Sequence, residues 1–301
     1  MRLDYHLLDV FTDRQFGGNP LAVFPQPPPG LSPSLMQQLA QELNLSETTF
    51  VLPPANPAHN WRLRIFTPAA ELPMAGHPTV GTAYALAHLG RLGQLEAQTK
   101  IVFELGVGPI SVTIHADRHD KPGAVWMRQP LPQFGEVYHD RRAIAELLSL
   151  DESDLRADAP LQVLSSGLPF LYVPVARLSA MARIQLRPDR WGALLAGSDA
   201  QNVFVTTTET VAASSTAHSR MFAPALGIGE DPATGSAGGP LAAYLLRYGL
   251  TESDEMISEQ GFEMGRPSTI RMRVQRSGDE ITGVAIGGNC VMLGSGSLTL
   301  E

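Results

Sequence analysis

One cysteine, Cys290, stands among 301 residues. That scarcity excludes an internal disulfide framework and any thiolate metal cluster, and it fits a reducing compartment. Positive charge is also in deficit. The chain has 22 Lys and Arg against 30 Asp and Glu, a formal net charge of −8. With no Lys/Arg run, this argues against nucleic acid as a partner. No stretch approaches the roughly 18 to 20 apolar residues of a membrane span. The opening MRLDYHLLDVF carries Arg2, Asp4 and Asp9 where a signal peptide would be apolar. These absences point to a cytoplasmic protein with neither nucleic acid nor membrane as partner. What remains is an ordinary globular balance, 44% hydrophobic and 17% charged, enough to bury a sizeable core without staples.

Strand-like runs dominate the chain. LAVF, WRLRIF, KIVFEL, ISVTIHA, AVWMRQ, FLYVPVA, NVFVTTT, TIRMRVQ and ITGVAIGG are rich in Val, Ile, Phe and Thr and are bounded by turn residues. Helical signals are fewer. SPSLMQQLAQEL offers Ser32 as N-cap and Pro33 as first helical residue. DRRAIAELLSL and GALLAG are shorter candidates. The two strongest helices, over about 78–89 and 237–248, each follow a Gly-rich opening. Strands and helices do not alternate regularly, which indicates an α+β fold. RQPLPQFGEV (128–137) reads as a linker between halves.

The chain also repeats itself. Arg64-Ile65-Phe66-Thr67-Pro68 matches Arg220-Met221-Phe222-Ala223-Pro224, an offset of 220 − 64 = 156. GHPTVGTAYALAHLG (76–90) matches GSAGGPLAAYLLRYG (235–249), an offset of 235 − 76 = 159. Each unit reads as a strand, a loop with an acid, a glycine and a polar residue, then an apolar helix closed by Gly90 or Gly249 as C-cap. Two halves on one plan are expected to face each other across a cleft.

A helix N-terminus leaves its first N–H groups without intrahelical partners and carries about half a positive charge. Small residues there let an anion approach the backbone. Two such openings, at Gly76 and Gly235, would grip a small anionic substrate. His77 and Ser236 occupy matching positions just after those glycines, with Asp231 and Thr234 in the preceding loop. Helix capping is the plainer role for Thr234, Ser236 and Asp231. Glu47 in NLSETTFVL lies between a helix ending near Leu43 and a strand starting near Thr49. Partial desolvation there would raise its pKa into the range useful for moving protons. The alternative is an exposed turn acid.

Several ordered segments together resemble the phenazine-biosynthesis-like isomerase family: DVFTDRQFGGNPLAVF (9–24), LSETTFV (45–51), RIFTPAAELPMAGHPTVGTA (64–83), LSSGLPFLYVPV (164–175), GEDPATGSA (229–237) and QGFEMGRPS (260–268). That family is related in fold to diaminopimelate epimerase. The resemblance implies two pseudo-symmetric lobes, each a sheet curled around a central helix. The first lobe would hold residues 1–118 plus a returning strand at about 285–301, the second residues 124–284. It implies a homodimer with no organic cofactor and no metal. Glu47 would match the family's proton-shuttling acid and His77 a substrate-contacting histidine. Asp231 and Ser236 would form the polar wall of the other half. Ser46, Gly76, Thr234 and Gly235 join the substrate-binding set. Met74 stands where an aromatic is common. The related epimerases use two cysteines, so two-thiol racemisation is excluded by the lone Cys290. The expected function is a cofactor-independent isomerase in which Glu47 moves a carbon-bound proton. The alternatives are an epimerase using Glu47 and Asp231, or a non-catalytic binding protein.

Overall fold

The computed structural model describes residues 1–300. The chain forms two compact units, Met1–Arg128 together with the chain from Ile286 onward, and Gln129–Ala285. No helix is long and apolar enough to cross a membrane, among the described residues.

The first unit runs β1 (Arg2–Val10), β2 (Asn19–Phe24), α1 (Pro33–Leu43), β3 (Glu47–Leu52), β4 (Trp61–Phe66), β5 (Glu71–Leu72), α2 (Gly76–His88), β6 (Gln98–Leu105), β7 (Gly108–Ala116) and β8 (Pro122–Gln129). The strand Cys290–Thr299 returns to lie antiparallel beside β1. β1 pairs antiparallel with β2, β2 parallel with β3, and β3 antiparallel with β4. β4 meets β6 in parallel only at Trp61 and Arg62. β6, β7 and β8 then form an antiparallel meander. α2 contacts β1, β2 and β3 as well as β7, which lies well along the sheet from them, so the sheet bends around the helix. All but two of the 13 residues of α2 are buried. A helix apolar on every side must be covered on every side, and its small residues let the strands close on it. On the opposite sheet face, Phe24, Phe50 and Phe66 pack under α1 with Met36, Leu39 and Ala40.

α1 starts as its sequence indicates. Ser32 Oγ accepts the Leu35 N–H at 3.2 Å and Pro33 occupies the first turn.

The second unit runs β9 (Gln133–Tyr138), α3 (Arg141–Leu147), β10 (Leu161–Ser165), β11 (Pro169–Pro174), α4 (Leu178–Met181), α5 (Pro188–Leu194), β12 (Val203–Thr207), β13 (Ala217–Ala223), β14 (Ile228–Asp231), α6 (Gly235–Arg247), β15 (Glu255–Gln260), β16 (Ser268–Ser277) and β17 (Glu280–Gly288), the last crossing into the first unit; Cys290–Thr299 is then β18. Strand alternation sorts its side chains. Leu171, Val173, Val203 and Val205 pack with α3, α4 and α5. Tyr172, from the other face of β11, stacks on Tyr244 of α6 at 5.8 Å and donates to Ala237 O at 2.7 Å.

The segment 128–137 does not serve as a linker throughout. Gln133–Tyr138 is β9, paired antiparallel with β10, and only the prolines at 130 and 132 interrupt the strands. Pro-rich spacing concealed a strand whose ladder partner lies more than twenty residues on.

α2 and α6 both begin two residues before the expected starts, with the glycine itself in the helix. Their ends share one cap. Gly90 and Gly249 take φ of +70° and +64°. Gly90 N–H donates to Ala87 O and Arg91 N–H to Leu86 O, and Gly249 and Leu250 repeat the pattern with Leu246 and Leu245. This left-handed turn satisfies the last carbonyls, and glycine adopts it without a Cβ penalty.

Candidate active site

Glu47 opens β3 instead of preceding it. Period-two alternation puts Glu47 and Thr49 on the α2 face, where Thr49 Oγ1 lies 2.9 Å from Thr82 Oγ1 of α2. Glu47 is only 7% exposed, so the solvated-turn alternative does not hold. His77, second residue of α2, is also buried, and its Nε2 lies 3.3 Å from Glu47 Oε2. Its Nδ1 lies 3.1 Å from Asn19 Nδ2 at the start of β2. The amide N–H₂ is a donor, so Nδ1 accepts and the ring proton belongs on Nε2, which lies near the carboxylate without making an aligned hydrogen bond to it. Burial pushes the His77 pKa down to about 3, so the ring is neutral at physiological pH, not a cation. The cap residue of α2 is Ala75, which makes no side-chain cap hydrogen bond to the first N–H groups of the helix. Ser46 is half-buried in the turn before β3.

In the second unit, Asp231 ends β14 and is buried. Thr234 is the cap residue of α6, yet its side chain does not cap the helix. Its Oγ1 instead donates to Asp231 Oδ2 at 2.6 Å. The plain capping role expected for Thr234 is therefore replaced by a side-chain pair. Gly235 and Ser236 form the first turn of α6, and both are buried. Gln129 holds that turn from one side, donating to Gly235 O at 3.1 Å and accepting from Gly239 N at 2.9 Å. Gln260 holds the preceding loop.

The expected residues thus gather as two sets, Glu47 with His77 in one unit and Asp231 with Thr234 in the other. His77 and Ser236 are each the second residue of their helix, as the repeat requires. Asn19 and Gln260 were not singled out beforehand. Both lie inside segments that carry the family resemblance, FGGNP and QGFEMG, but nothing local distinguishes an amide that orients a partner dozens of residues away. Met74 is fully buried just before α2. Cys290 is buried on β18, paired with Val10, and burial raises its thiol pKa far from the reactive range. No group of three or more His, Cys, Asp or Glu is arranged to hold a metal ion, among the described residues.

The model of the phenazine biosynthesis-like protein family matches residues 8–296. The chain belongs to this family. An uncharacterized isomerase of Mesorhizobium japonicum is 39% identical over 304 residues, with 98% of each chain covered. A trans-2,3-dihydro-3-hydroxyanthranilate isomerase of Pseudomonas chlororaphis is 36% identical, covering 98% of this chain and 99% of that one. Its curated relatives are named as isomerases, and this PhzF-type chain is an isomerase too. The crystal structure of a PhzF-family phenazine biosynthesis protein from Bacillus anthracis superposes with a TM-score of 0.88 at 27% identity, with both chains fully covered. A hydroxyproline epimerase from Agrobacterium vitis reaches 0.69 at 12% identity over 100% of this chain and 93% of that one, a likeness of fold alone. The fold is thus a mixed α/β one with a large sheet and few helices, shared with PhzF proteins and with proline-racemase-type epimerases.

Proposed function

We propose that this isomerase moves a carbon-bound proton on a small, carboxylate-bearing substrate without a cofactor, with Glu47 as the acid/base. The observation that carries the reading is a buried glutamate facing the Nε2 of a neutral histidine at an uncapped helix start. Glu47 takes a proton from carbon. The C–H electron pair forms a new double bond, and the former double bond's pair takes a proton at its far end. Glu47, or solvent exchanging with it, returns that proton, so atoms and charge balance. His77, whose Nε2 lies 3.3 Å from one carboxylate oxygen, orients the substrate or relays protons. N–H groups from Gly76 onward, together with Ser46, hold the anionic group and stabilise charge that develops on it. The reading assigns Asp231, Thr234, Gly235 and Ser236 to the same substrate molecule, with Asp231 orienting it or relaying protons. It includes a two-lobed, homodimeric enzyme on the diaminopimelate-epimerase plan, and light scattering tests the dimer.

The test is turnover in deuterated water. trans-2,3-Dihydro-3-hydroxyanthranilate, the compound named for the Pseudomonas chlororaphis relative, is the first substrate, followed by other small unsaturated carboxylic acids. Double-bond movement with deuterium entering at carbon, lost in Glu47→Gln, supports the reading. Exchange with stereochemical inversion and no double-bond movement would instead support an epimerase. Binding without any carbon exchange would leave a non-catalytic binding protein.

A further inference from the structure

The two units offer the same scaffold twice, which makes one a control for the other. Pro73 and Pro232 precede α2 and α6 at the same offset as the helices, 232 − 73 = 159. Each proline is met by a glycine from the strand that follows the helix. A Cβ on Gly106 would come within 2.8 Å of Pro73 Cα, and one on Gly261 within 2.6 Å of Pro232 O. The residue before each proline pairs with β4 or β13, as Leu72 with Ile65 and Asp231 with Met221. The residue before each glycine ends β6 or β15, as Leu105 and Gln260. In the first unit these two positions are Leu72 and Leu105, both buried and lining one pocket. In the second they are Asp231 and Gln260, both buried as well. The scaffold therefore closes with an apolar pair, and the polar pair is not a requirement of the fold.

Gln260 uses three bonds on this arm. Its Oε1 accepts the Thr234 N–H at 3.0 Å. Its Nε2 donates to Asp231 O at 2.7 Å and to Thr234 Oγ1 at 3.0 Å. The amide has only one workable orientation, because turning it over would aim N–H₂ at an N–H and oxygen at a carbonyl. With its lone pair engaged by Gln260, the Thr234 hydroxyl directs its own proton to Asp231 Oδ2, 2.6 Å away. The carboxylate is thus oriented through Thr234, and chained hydrogen bonds of this kind strengthen one another. Ser268 Oγ donates to Pro232 O at 2.7 Å and fixes the same loop from below.

We propose that Gln260 is a positioning residue for the isomerase: it holds Thr234 and Asp231 in the orientation that the substrate meets. The proposal rests on the assignment of Asp231 and Thr234 to the substrate. A misplacement of about 1 Å can cost on the order of 10²-fold in rate.

Three variants test it, each by kcat and KM for double-bond movement in trans-2,3-dihydro-3-hydroxyanthranilate and by amide hydrogen exchange over residues 229–238. Gln260→Leu imitates the first unit. It is expected to lose about 10- to 100-fold in kcat and to exchange the Thr234 amide faster. Gln260→Glu still accepts the Thr234 N–H but donates to Asp231 O only when protonated, so its kcat should recover relative to the parent as pH falls. The pair Asp231→Leu with Gln260→Leu reproduces the apolar closure of the first unit. It should fold even if Gln260→Leu alone does not, and remain inactive. Parent-like kcat in Gln260→Leu, or a Gln260→Glu profile parallel to the parent's, would overturn the positioning role. If the parent itself does not turn over this compound or the other acids, the functional reading fails, and amide exchange decides the Gln260 contacts alone. Unchanged exchange in Gln260→Leu would sink them.

Discussion

Glutamine in place of Glu47 keeps the shape of the side chain and its hydrogen bonding but cannot shuttle a proton. A positioned acid/base contributes about 10² to 10⁴ in rate, so Glu47→Gln is expected to lose activity by that factor while still folding and binding ligand. Glu47→Asp should lose less. A full-rate Glu47→Gln enzyme, measured by deuterium entry, would remove the mechanism. His77 makes a separate statement about acid. The unfolded histidine takes up its proton around 6.5, the folded one only near 3. Between those values the unfolded chain binds more protons, so the stability His77 contributes is present above 6.5 and declines as pH falls toward 3. Thermal unfolding of His77→Gln across that window should show a shallower loss of stability with acid than the parent does. Identical slopes would show that another group controls the acid limb.

At the scale of an element, β15 is tied on both faces. Gln260 grips the Asp231 loop, while its neighbour Glu259 accepts from Val211 N and Ala212 N and faces His218 Nδ1 at 3.1 Å. Glu263, four residues on from Glu259, faces His218 Nε2 at 3.0 Å. Burial opposes a charge on His218, but the carboxylates of Glu263 and Glu259 outweigh it, and its pKa is raised. The sign is opposite to that of His77. The contribution is complete below 6.5 and is lost as pH rises through the folded value. His218→Gln should therefore lower the melting temperature more at about pH 6 than at about pH 9; an equal drop at both would show that the ion pair is not formed. The turn after β15 is equally specific. Gly261 has φ of +76°, and a Cβ there would come within 2.5 Å of Arg266 O. Left-handed backbone and a backbone clash together make Gly261→Ala cost about 2–4 kcal/mol, read from denaturant unfolding. A change below about 0.5 kcal/mol would mean the loop relaxes freely.

For the whole molecule, the proposal requires Glu47 and Asp231 to serve one reaction although they belong to different compact units. Groups that act as a set are strongly non-additive. Asp231→Asn alone should lower kcat more than it weakens binding. The double variant with Glu47→Gln should be scarcely slower than Glu47→Gln alone. Losses that simply multiply would assign the two acids to independent tasks. The same units share a plan down to the Schellman-type closures at Gly90 and Gly249, and the repeat is most informative where it breaks, at Leu72 against Asp231 and Leu105 against Gln260.

Local chemistry determined a good deal from the sequence. Ser32-Pro33 starts α1, the Gly-rich openings start α2 and α6, and Gly90 and Gly249 stop them, because caps depend on residues a few positions apart. Strand composition marked most of the sheet and the mixed fold, and the ordered motifs marked the family. Glu47 was visible as a candidate, but its burial was not, since burial depends on α2 closing over β3 from some thirty residues away. The strand within 128–137, the tautomer of His77, and the grip of Gln260 on Thr234 were decided by tertiary structure alone. Each depends on a hydrogen-bond partner more than twenty residues distant, and no periodicity in the chain encodes which partner that is.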